Sequence, residues 1–228
     1  RAIWSWLGVE TGRYMPARAG RADENLRLIT VARLNLAKGH RFALEAVAAA
    51  RARGVDVRYR LVGDGPGRGA IQEQVAALGL GGCVELAGAL DQDGVRTALQ
   101  DSDVFVLPTS GPGEGSPVAV LEAMSAGLAI VATDVGGLRD MVGPAEGLLV
   151  PPGDAPAIEA AIVALAEDRE RCAAMGAASR ARALREFDVE AVAERLLGRF
   201  FPGRDGGAER GPGGLEAGAA ELPVGAGA

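Results

Sequence analysis

Apolar residues along the chain form short continuous runs that alternate with longer stretches of helical spacing. Short apolar runs bounded by turn residues are typical of buried strands, and they predict strands at 28–32, 57–62, 83–86, 104–107, 128–132 and 148–150. The stretches with helical spacing predict helices at 39–53, 71–78, 95–99, 117–126, 154–166, 169–185 and 189–200.

Strands separated by single helices predict the fold class: an α/β, Rossmann-like parallel sheet with helices on both faces. Ligands of such sheets bind in the crevice at the carboxyl ends of the strands. The pattern also predicts three segments. Residues 1–26 have weak periodicity and form a linker, residues 27–200 form the domain, and residues 201–228, rich in Gly and Pro, form a disordered tail.

The stretch 108–127 follows the predicted strand 104–107 and opens with turn-forming residues. Ser116 suits the N-cap of a helix, Pro117 the first helical position and Gly127 the residue after its end. The start of this helix would present backbone amides and the positive end of the helix dipole, which together favour binding of a phosphate.

Glu122 is the only charged residue in this predicted helix, and its neighbours one turn away are small or apolar. Burial of a carboxylate without a hydrogen-bond donor is costly, so we expect Glu122 to face a ligand or a donor from another segment. Glu114 lies eight residues earlier, in the loop. The pair could bind hydroxyls of a sugar and a ribose; the alternatives are a solvated loop charge and a surface helix residue.

Composition excludes several classes of function. A net charge of −6 and a pI near 5.0 argue against a nucleic-acid partner, whose phosphates would be repelled. Cys83 and Cys172 have neither metal-binding spacing nor a disulfide framework, which fits a reducing compartment. His40, the single histidine, cannot form a metal site alone, and we expect it at the surface at a helix start.

Two further motifs invite a functional interpretation. Asp91 with Asp93, and Asp101 with Asp103, have a spacing used for metal binding, but Asp also caps helices, and we favour capping. The glycine-rich run 63–69 suggests dinucleotide binding, yet its third required glycine falls on Arg68. The alternative for this run is a turn between a strand and a helix.

Residues 114–127 read Glu-Gly-Ser-Pro-x-x-x-x-Glu-Ala-Met-x-x-Gly, and Ala-Ile-Val-Ala-Thr-Asp-Val-Gly-Gly follows them. This signature resembles that of the retaining nucleotide-sugar glycosyltransferases of family 4, which have the GT-B fold. Residues 8–16 resemble the Gly-Val-Asp-x-x-x-Phe-x-Pro stretch with which that family enters its second domain, with Glu10 for Asp and Tyr14 for Phe. The resemblance implies that residues 1–26 are an interdomain linker and that an N-terminal domain precedes this chain in its parent protein.

The resemblance also implies roles for particular residues. Residues 31–39 resemble the family's Gly-Arg-Leu-x-x-x-Lys-Gly element, in which Arg33 and Lys38 would hold the diphosphate of the donor, with Ala32 in place of Gly. Glu114 would hold the donor sugar as the third catalytic residue, and Glu122 the ribose. The remaining contacts with the nucleotide sugar would come from Gly115, Ser116, Pro117, Val118, Gly63, Gly65 and Leu90.

The expected function is retaining transfer of a hexose from a UDP- or GDP-sugar to a glycan or lipid-linked acceptor. Similarity to enzymes of the colanic-acid type places this in exopolysaccharide or cell-surface glycan synthesis. We expect a cytoplasmic protein, with peripheral contact at the inner face of the membrane allowed, and neither a cofactor nor a metal. The alternatives are a nucleotide-sugar-binding module that is inactive alone, a GT-B-type epimerase, and an NAD-dependent dehydrogenase, against which the failed glycine spacing argues.

Overall fold

The structure is a computed structural model that describes residues 7–16, 25–111 and 117–200. Its core is a six-stranded parallel sheet with the strand order β3-β2-β1-β4-β5-β6. The strands are β1 (Leu26–Val31), β2 (Val57–Val62), β3 (Val84–Gly88), β4 (Val104–Leu107), β5 (Ala129–Thr133) and β6 (Gly147–Val150).

Helices connect the strands and follow the last strand to residue 200. They are α1 (His40–Ala52), α2 (Arg68–Ala77), α3 (Gln92–Gln100), α4 (Val118–Ser125), α5 (Leu138–Met141), α6 (Ala155–Glu167), α7 (Arg169–Arg182) and α8 (Val189–Phe200). Short 3-10 turns lie at Thr11–Arg13 and Leu36–Lys38, and a π-helical turn lies at Ala183–Phe187. The helix α5 is absent from the sequence prediction, because four residues are too few to show helical spacing.

The two faces of the sheet are both covered, which explains why the strands read as continuous apolar runs. In β4, Val104 and Val106 pack in the core beneath α1, α2 and α6, whereas Phe105 and Leu107 pack in the core beneath α3, α4 and α5. The predicted Rossmann-like parallel sheet with helices on both faces is therefore confirmed.

The strand order reverses direction between β1 and β4. From β1 the chain proceeds outward to β2 and β3, and it then crosses back to place β4 on the other side of β1. The helices that follow β1 and β4, α1 and α4, consequently lie on opposite faces of the sheet and leave a crevice between them. In open α/β sheets this crevice, outside the carboxyl ends of the strands, is where ligands bind.

Residues 7–16 pack against the last helices of the domain. The Val9 amide donates to the carbonyl of Phe187 (2.9 Å), and the Val189 amide donates to the carbonyl of Val9 (3.1 Å). The Thr11 hydroxyl donates to the Asp188 carboxylate. The predicted linker boundary at residue 26 and the predicted disordered tail stay predictions, since residues 1–6, 17–24 and 201–228 lie outside the described residues.

Candidate functional site

The loops after β1 and β4 meet at the carboxyl edge of the sheet. The carbonyl oxygen of Ala37 accepts hydrogen bonds from the amides of Ser110 (2.9 Å) and Gly111 (3.2 Å). Gly39 has a φ of 65°, and a Cβ atom there would lie 1.9 Å from the carbonyl oxygen of Pro108. The loop with Arg33 and Lys38 is thereby held against the first residues of the signature stretch.

Both predicted cations lie on this β1 loop. The Arg33 side chain is exposed, and Lys38 is partly buried. The carboxamide oxygen of Asn35 accepts a hydrogen bond from the Lys38 amide (3.1 Å) and so caps the short turn that carries the lysine. Partial burial lowers the pKa of the Lys38 ammonium, because a desolvated charge is less stable.

His40 lies beneath the same loop, and the expectation that it is a surface residue is wrong. Its side chain is only 2% exposed because the start of α1 is covered by the loop that precedes it. Its Nε2 atom lies 3.3 Å from the carbonyl oxygen of Arg33, while Nδ1 is buried and has no partner among the described residues. Burial lowers the pKa of His40, the hydrogen bond with the Arg33 carbonyl offsets part of this shift, and the charge of Lys38 lowers the pKa further.

The glycine-rich turn after β2 packs directly on the β1 loop. The Leu34 amide donates to the carbonyl of Asp64 (3.0 Å). A Cβ atom at Gly63, whose φ is 131°, would lie 2.0 Å from the carbonyl oxygen of Ala32, and one at Gly65 would lie 2.5 Å from that of Leu34. Close packing of two backbones is therefore sufficient reason for both glycines, and their predicted contact with a nucleotide stays a prediction.

The start of α4 differs from the prediction by one residue. Pro117 occupies the N-cap position and provides no side-chain hydrogen bond, and the helix begins at Val118, whose side chain is 42% exposed. Ser116, the predicted N-cap, lies outside the described residues together with Glu114 and Gly115. The exposed Val118 places the first turn of α4 at the surface of the crevice.

Glu122 follows one turn later and has a donor from another segment, one of the two alternatives expected from the sequence. The Tyr14 hydroxyl donates to Oε1 of Glu122 at 2.7 Å. Burial raises the pKa of Glu122, and the hydrogen bond from Tyr14 and the nearby charge of Arg96 offset part of this effect. Among the described residues, Tyr14 is the only hydrogen-bond donor to this carboxylate.

One residue of each Asp pair has a structural role. Asp91 is the N-cap of α3, where its Oδ1 accepts from the Gly94 amide (2.8 Å), as predicted. Asp103 accepts from the Arg27 amide (2.9 Å) and from Arg169 (3.0 Å). No group of three His, Cys, Asp or Glu residues within the described ranges could hold a metal ion.

Leu90, the predicted base contact, follows β3 and is 39% exposed. A hollow of about 580 Å³ lies at the other edge of the sheet, where Arg58, Cys83 and Glu85 line it near the amino ends of the strands. None of the residues predicted to bind a nucleotide sugar lines this hollow. The candidate chemistry lies at the carboxyl edge, in the crevice beside the β1 and β4 loops.

Sequence reasoning missed three residues of the site. The sequence shows Tyr14 only as a substitution for Phe, predicts a surface position for His40, and gives no reason to select Arg96 on α3. Arg96 forms an ion pair with Asp93 on the same helix, and its positive charge lies close enough to Glu122 to lower the pKa of that carboxyl. Only the Tyr14 substitution left a signal in the sequence, since a hydroxyl on a buried ring requires a partner.

Comparison with known proteins places the chain in a family. Residues 15–182, more than half of the chain, match the model of the glycosyl transferases group 1. The chain belongs to this family. The resemblance found in the sequence is therefore confirmed at the level of group 1 glycosyltransferases.

Curated relatives share this region. WcaL of Salmonella typhimurium, a protein assigned to colanic acid biosynthesis as a glycosyltransferase, is 32% identical over 198 residues, which cover 84% of this chain and 49% of WcaL. The amylovoran biosynthesis glycosyltransferase AmsK of Erwinia amylovora is 30% identical over 200 residues, 86% of this chain and 49% of AmsK. The chain thus spans about half the length of the curated relatives it matches.

Solved structures share the fold. HepE of Anabaena, crystallised with UDP, superposes with a TM-score of 0.74 at 22% identity, over 85% of this chain and 55% of HepE. The C-terminal domain of a group 1 glycosyl transferase, LpcC of Francisella tularensis, superposes with a TM-score of 0.71 at 19% identity, over 80% of this chain and 100% of that domain. Among the described residues, no helix combines the length and apolarity needed to cross a bilayer.

Proposed function

We propose that this chain is the donor-binding half of a retaining glycosyltransferase of family 4. The full enzyme would transfer a hexose from a UDP- or GDP-sugar to a glycan or lipid-linked acceptor in exopolysaccharide or cell-surface glycan synthesis. The observation that carries the proposal is the junction of two loops at the switch point, where Ala37 binds Ser110 and Gly111. This junction brings Arg33 and Lys38 next to the stretch that leads to Glu114 and α4.

Known proteins support a nucleotide-sugar donor. HepE of Anabaena has been crystallised with UDP and with UDP-glucose. A GDP-mannose-dependent mannosyltransferase of Corynebacterium glutamicum is 29% identical to this chain over 204 residues. We therefore propose a UDP- or GDP-sugar as the donor, with the base and the sugar to be decided by experiment.

The proposed chemistry requires stabilisation of a leaving diphosphate. When the oxygen of the acceptor hydroxyl bonds to the anomeric carbon, the bond from that carbon to the phosphate oxygen breaks, negative charge accumulates on the diphosphate, and the departing diphosphate takes up the hydroxyl proton. Cations and backbone amides that are already in place stabilise this charge as it develops. Arg33, Lys38 and the first amides of α4 would provide them, and attack on the face from which the diphosphate leaves would retain the configuration.

Each remaining residue has a proposed part. Glu114 and the backbone of Gly115 to Val118 would hold the donor sugar and phosphate, Glu122 the ribose hydroxyls and Leu90 the base. This scheme calls for no metal ion or cofactor, because two side-chain cations and the helix amides would face the diphosphate. The acceptor would bind an N-terminal domain of the parent protein, in the cytoplasm or at the inner face of the membrane.

A second candidate function is a nucleotide-sugar-binding module without transferase activity of its own. The observation that favours it is that the chain spans about half the length of the curated relatives it matches. The two functions differ in one measurable property. Transfer of hexose from UDP- or GDP-sugar by the 228-residue chain alone would rule out the second.

A nucleotide-binding panel tests the donor site itself. Thermal unfolding and titration calorimetry of the chain with UDP, GDP, ADP and NAD should show stabilisation by UDP or GDP. A ligand at about a hundred times its Kd adds roughly 2.7 kcal/mol of stability. Glu122→Ala and Arg33→Met should each remove most of the effect, whereas Arg53→Met, which alters an exposed arginine at the far end of α1, should not. Stabilisation by NAD alone, or an unchanged response in both site variants, would contradict the proposal.

A further inference from the structure

Tyr14 connects residues 7–16 to the candidate donor site. Its ring is buried, with 5% of the residue exposed, and its hydroxyl donates to Glu122 Oε1 at 2.7 Å. The two residues are 108 positions apart in sequence. The contact is therefore a feature of the folded domain and not of a local motif.

The backbone at Tyr14 is fixed independently of this hydrogen bond. Nη1 of Arg180 donates to the carbonyl oxygen of Tyr14 (2.6 Å) and also to that of Ser125, near the end of α4. One guanidinium thus joins Tyr14 to the helix that carries Glu122. Thr11 and Val9, bonded to Asp188 and Phe187, hold the preceding residues on the domain. The phenol consequently approaches the carboxylate from a rigid base.

The hydroxyl of Tyr14 acts as a permanent donor. Burial and the neighbouring Glu122 carboxylate raise the pKa of Tyr14 above its usual value, so the phenol stays protonated at physiological pH. A carboxylate offers acceptor positions on both oxygens. With Oε1 bonded to Tyr14, Oε2 has no protein donor among the described residues and is available to a ligand.

We propose that Tyr14 is a positioning residue of the donor site, whose hydroxyl fixes the Glu122 carboxylate in the orientation that accepts hydrogen bonds from the ribose hydroxyls of a nucleoside diphosphate. The inference rests on the proposed function. A phenylalanine, which the related motif has at this position, would preserve the packing of the ring but would leave the carboxylate free to rotate. The Tyr14 hydroxyl therefore contributes to selective binding of ribose and not to the packing of the aromatic ring.

The test compares ribonucleotides with nucleotides that lack both ribose hydroxyls. Affinities of UDP, GDP and their 2′,3′-dideoxy forms are measured by calorimetry on the full chain, on Tyr14→Phe, on Glu122→Gln and on the double variant. Tyr59→Phe is the matched control, because its buried hydroxyl bonds to Thr30 inside the core (2.7 Å) and away from the crevice. Urea unfolding of each variant reports whether the domain is intact.

We expect Tyr14→Phe to weaken the ribonucleotide roughly three- to tenfold, the range for loss of one hydrogen bond, and to leave the dideoxy form unchanged. In the Glu122→Gln background, Tyr14→Phe should have no further effect, since the two residues act through one interaction. Tyr59→Phe should leave the ratio of ribonucleotide affinity to dideoxynucleotide affinity as it is in the original chain.

Ribonucleotide affinity measured across a pH series adds a result that a loss of packing around Tyr14 would not change. The hydrogen bond from Tyr14 offsets part of the burial effect on Glu122, and Arg96 is the charged group that faces it from α3. Without the hydroxyl the pKa of Glu122 rises further. Loss of ribonucleotide affinity on acidification should therefore begin at a higher pH in Tyr14→Phe than in the original chain.

The outcomes separate the inference from the proposed function. If Glu122→Gln abolishes the preference for ribose and Tyr14→Phe retains both the preference and the pH profile, the role of Tyr14 is wrong and the donor site stands. If the original chain binds the ribo and dideoxy forms equally, the ribose role of Glu122 and the inference fail, while nucleotide binding stands. If it binds neither UDP nor GDP, the proposed function fails and the inference fails with it.

Discussion

At the scale of single residues, the candidate site depends on side chains that lie under its surface. Arg33 is exposed and available to a ligand, but the loop that carries it is supported from below by the buried ring of His40. Glu122 is likewise supported by Tyr14. Neither supporting residue was predicted as part of the site, because a sequence shows which side chains are polar and not which polar atoms meet.

The buried His40 predicts a pH-dependent stability. Its pKa in the folded chain is below the value in the unfolded chain, about 6.5, since burial and Lys38 disfavour the imidazolium. The folded state therefore binds fewer protons. The stabilising effect is complete above about pH 6.5 and is lost as the pH falls through the folded pKa.

The measurement is urea unfolding of the chain and of His40→Gln at about pH 7.5, 6.5 and 5.5. Gln retains an N–H donor for the Arg33 carbonyl but does not titrate. The difference in unfolding free energy between the two proteins should shrink toward lower pH. A constant difference across the series would show that His40 does not titrate on unfolding.

At the scale of elements, the β1 and β4 loops are held together by backbone contacts. The hydrogen bonds accepted by the carbonyl oxygen of Ala37 and the close approach of Gly39 to Pro108 join the two loops. Neither contact requires a side chain. A junction built from backbone atoms is rigid, and a rigid junction is suited to hold cations at a fixed distance from a diphosphate.

Gly39→Ala should damage this junction. Gly39 and Gly54 both have positive φ, 65° and 89°, so alanine is strained at either position, but only at Gly39 does the new Cβ meet a backbone atom. We expect Gly39→Ala to cost at least about 1 kcal/mol more than Gly54→Ala in urea unfolding. Equal losses would indicate that the two loops separate easily. A parallel loss of UDP or GDP affinity in Gly39→Ala alone would connect the junction to the site.

The elements themselves were largely predictable from the sequence. The strand β2 and the helix α8 have the predicted bounds, because buried strands and amphipathic helices have distinct apolar spacing. The helix α4 begins one residue later than predicted because Pro117 serves as its cap. The contact of Tyr14 with Glu122 joins residues 108 positions apart, and no local pattern encodes such a pairing.

At the scale of the whole molecule, the sheet has two unlike edges. The amino edge carries the hollow of about 580 Å³, and the carboxyl edge carries the β1 loop with Arg33 and Lys38 and the start of α4, which holds Glu122. The strand order and the chemistry of the loops favour the crevice.

Hydrogen exchange measured by mass spectrometry distinguishes the two edges. Addition of UDP or GDP, whichever binds, should slow exchange of the amides in residues 33–39, 109–111 and 118–122. The amides of residues 58–60 and 81–85, around the hollow, should exchange at the same rate with and without the nucleotide. Protection confined to residues 81–85 would place the ligand at the amino edge and contradict the proposed site.

The attachment of residues 7–16 to residues 180–189 also affects the order of events during biosynthesis. Thr11 binds Asp188, 177 positions later, and Tyr14 is held by Arg180. Such distant contacts are entropically costly to close, and on a ribosome they cannot form before the last partner emerges. The sheet can assemble while Tyr14 is still undocked. A nascent chain therefore completes its candidate site only after Arg180 and Asp188 have emerged, later than the scaffold that supports it.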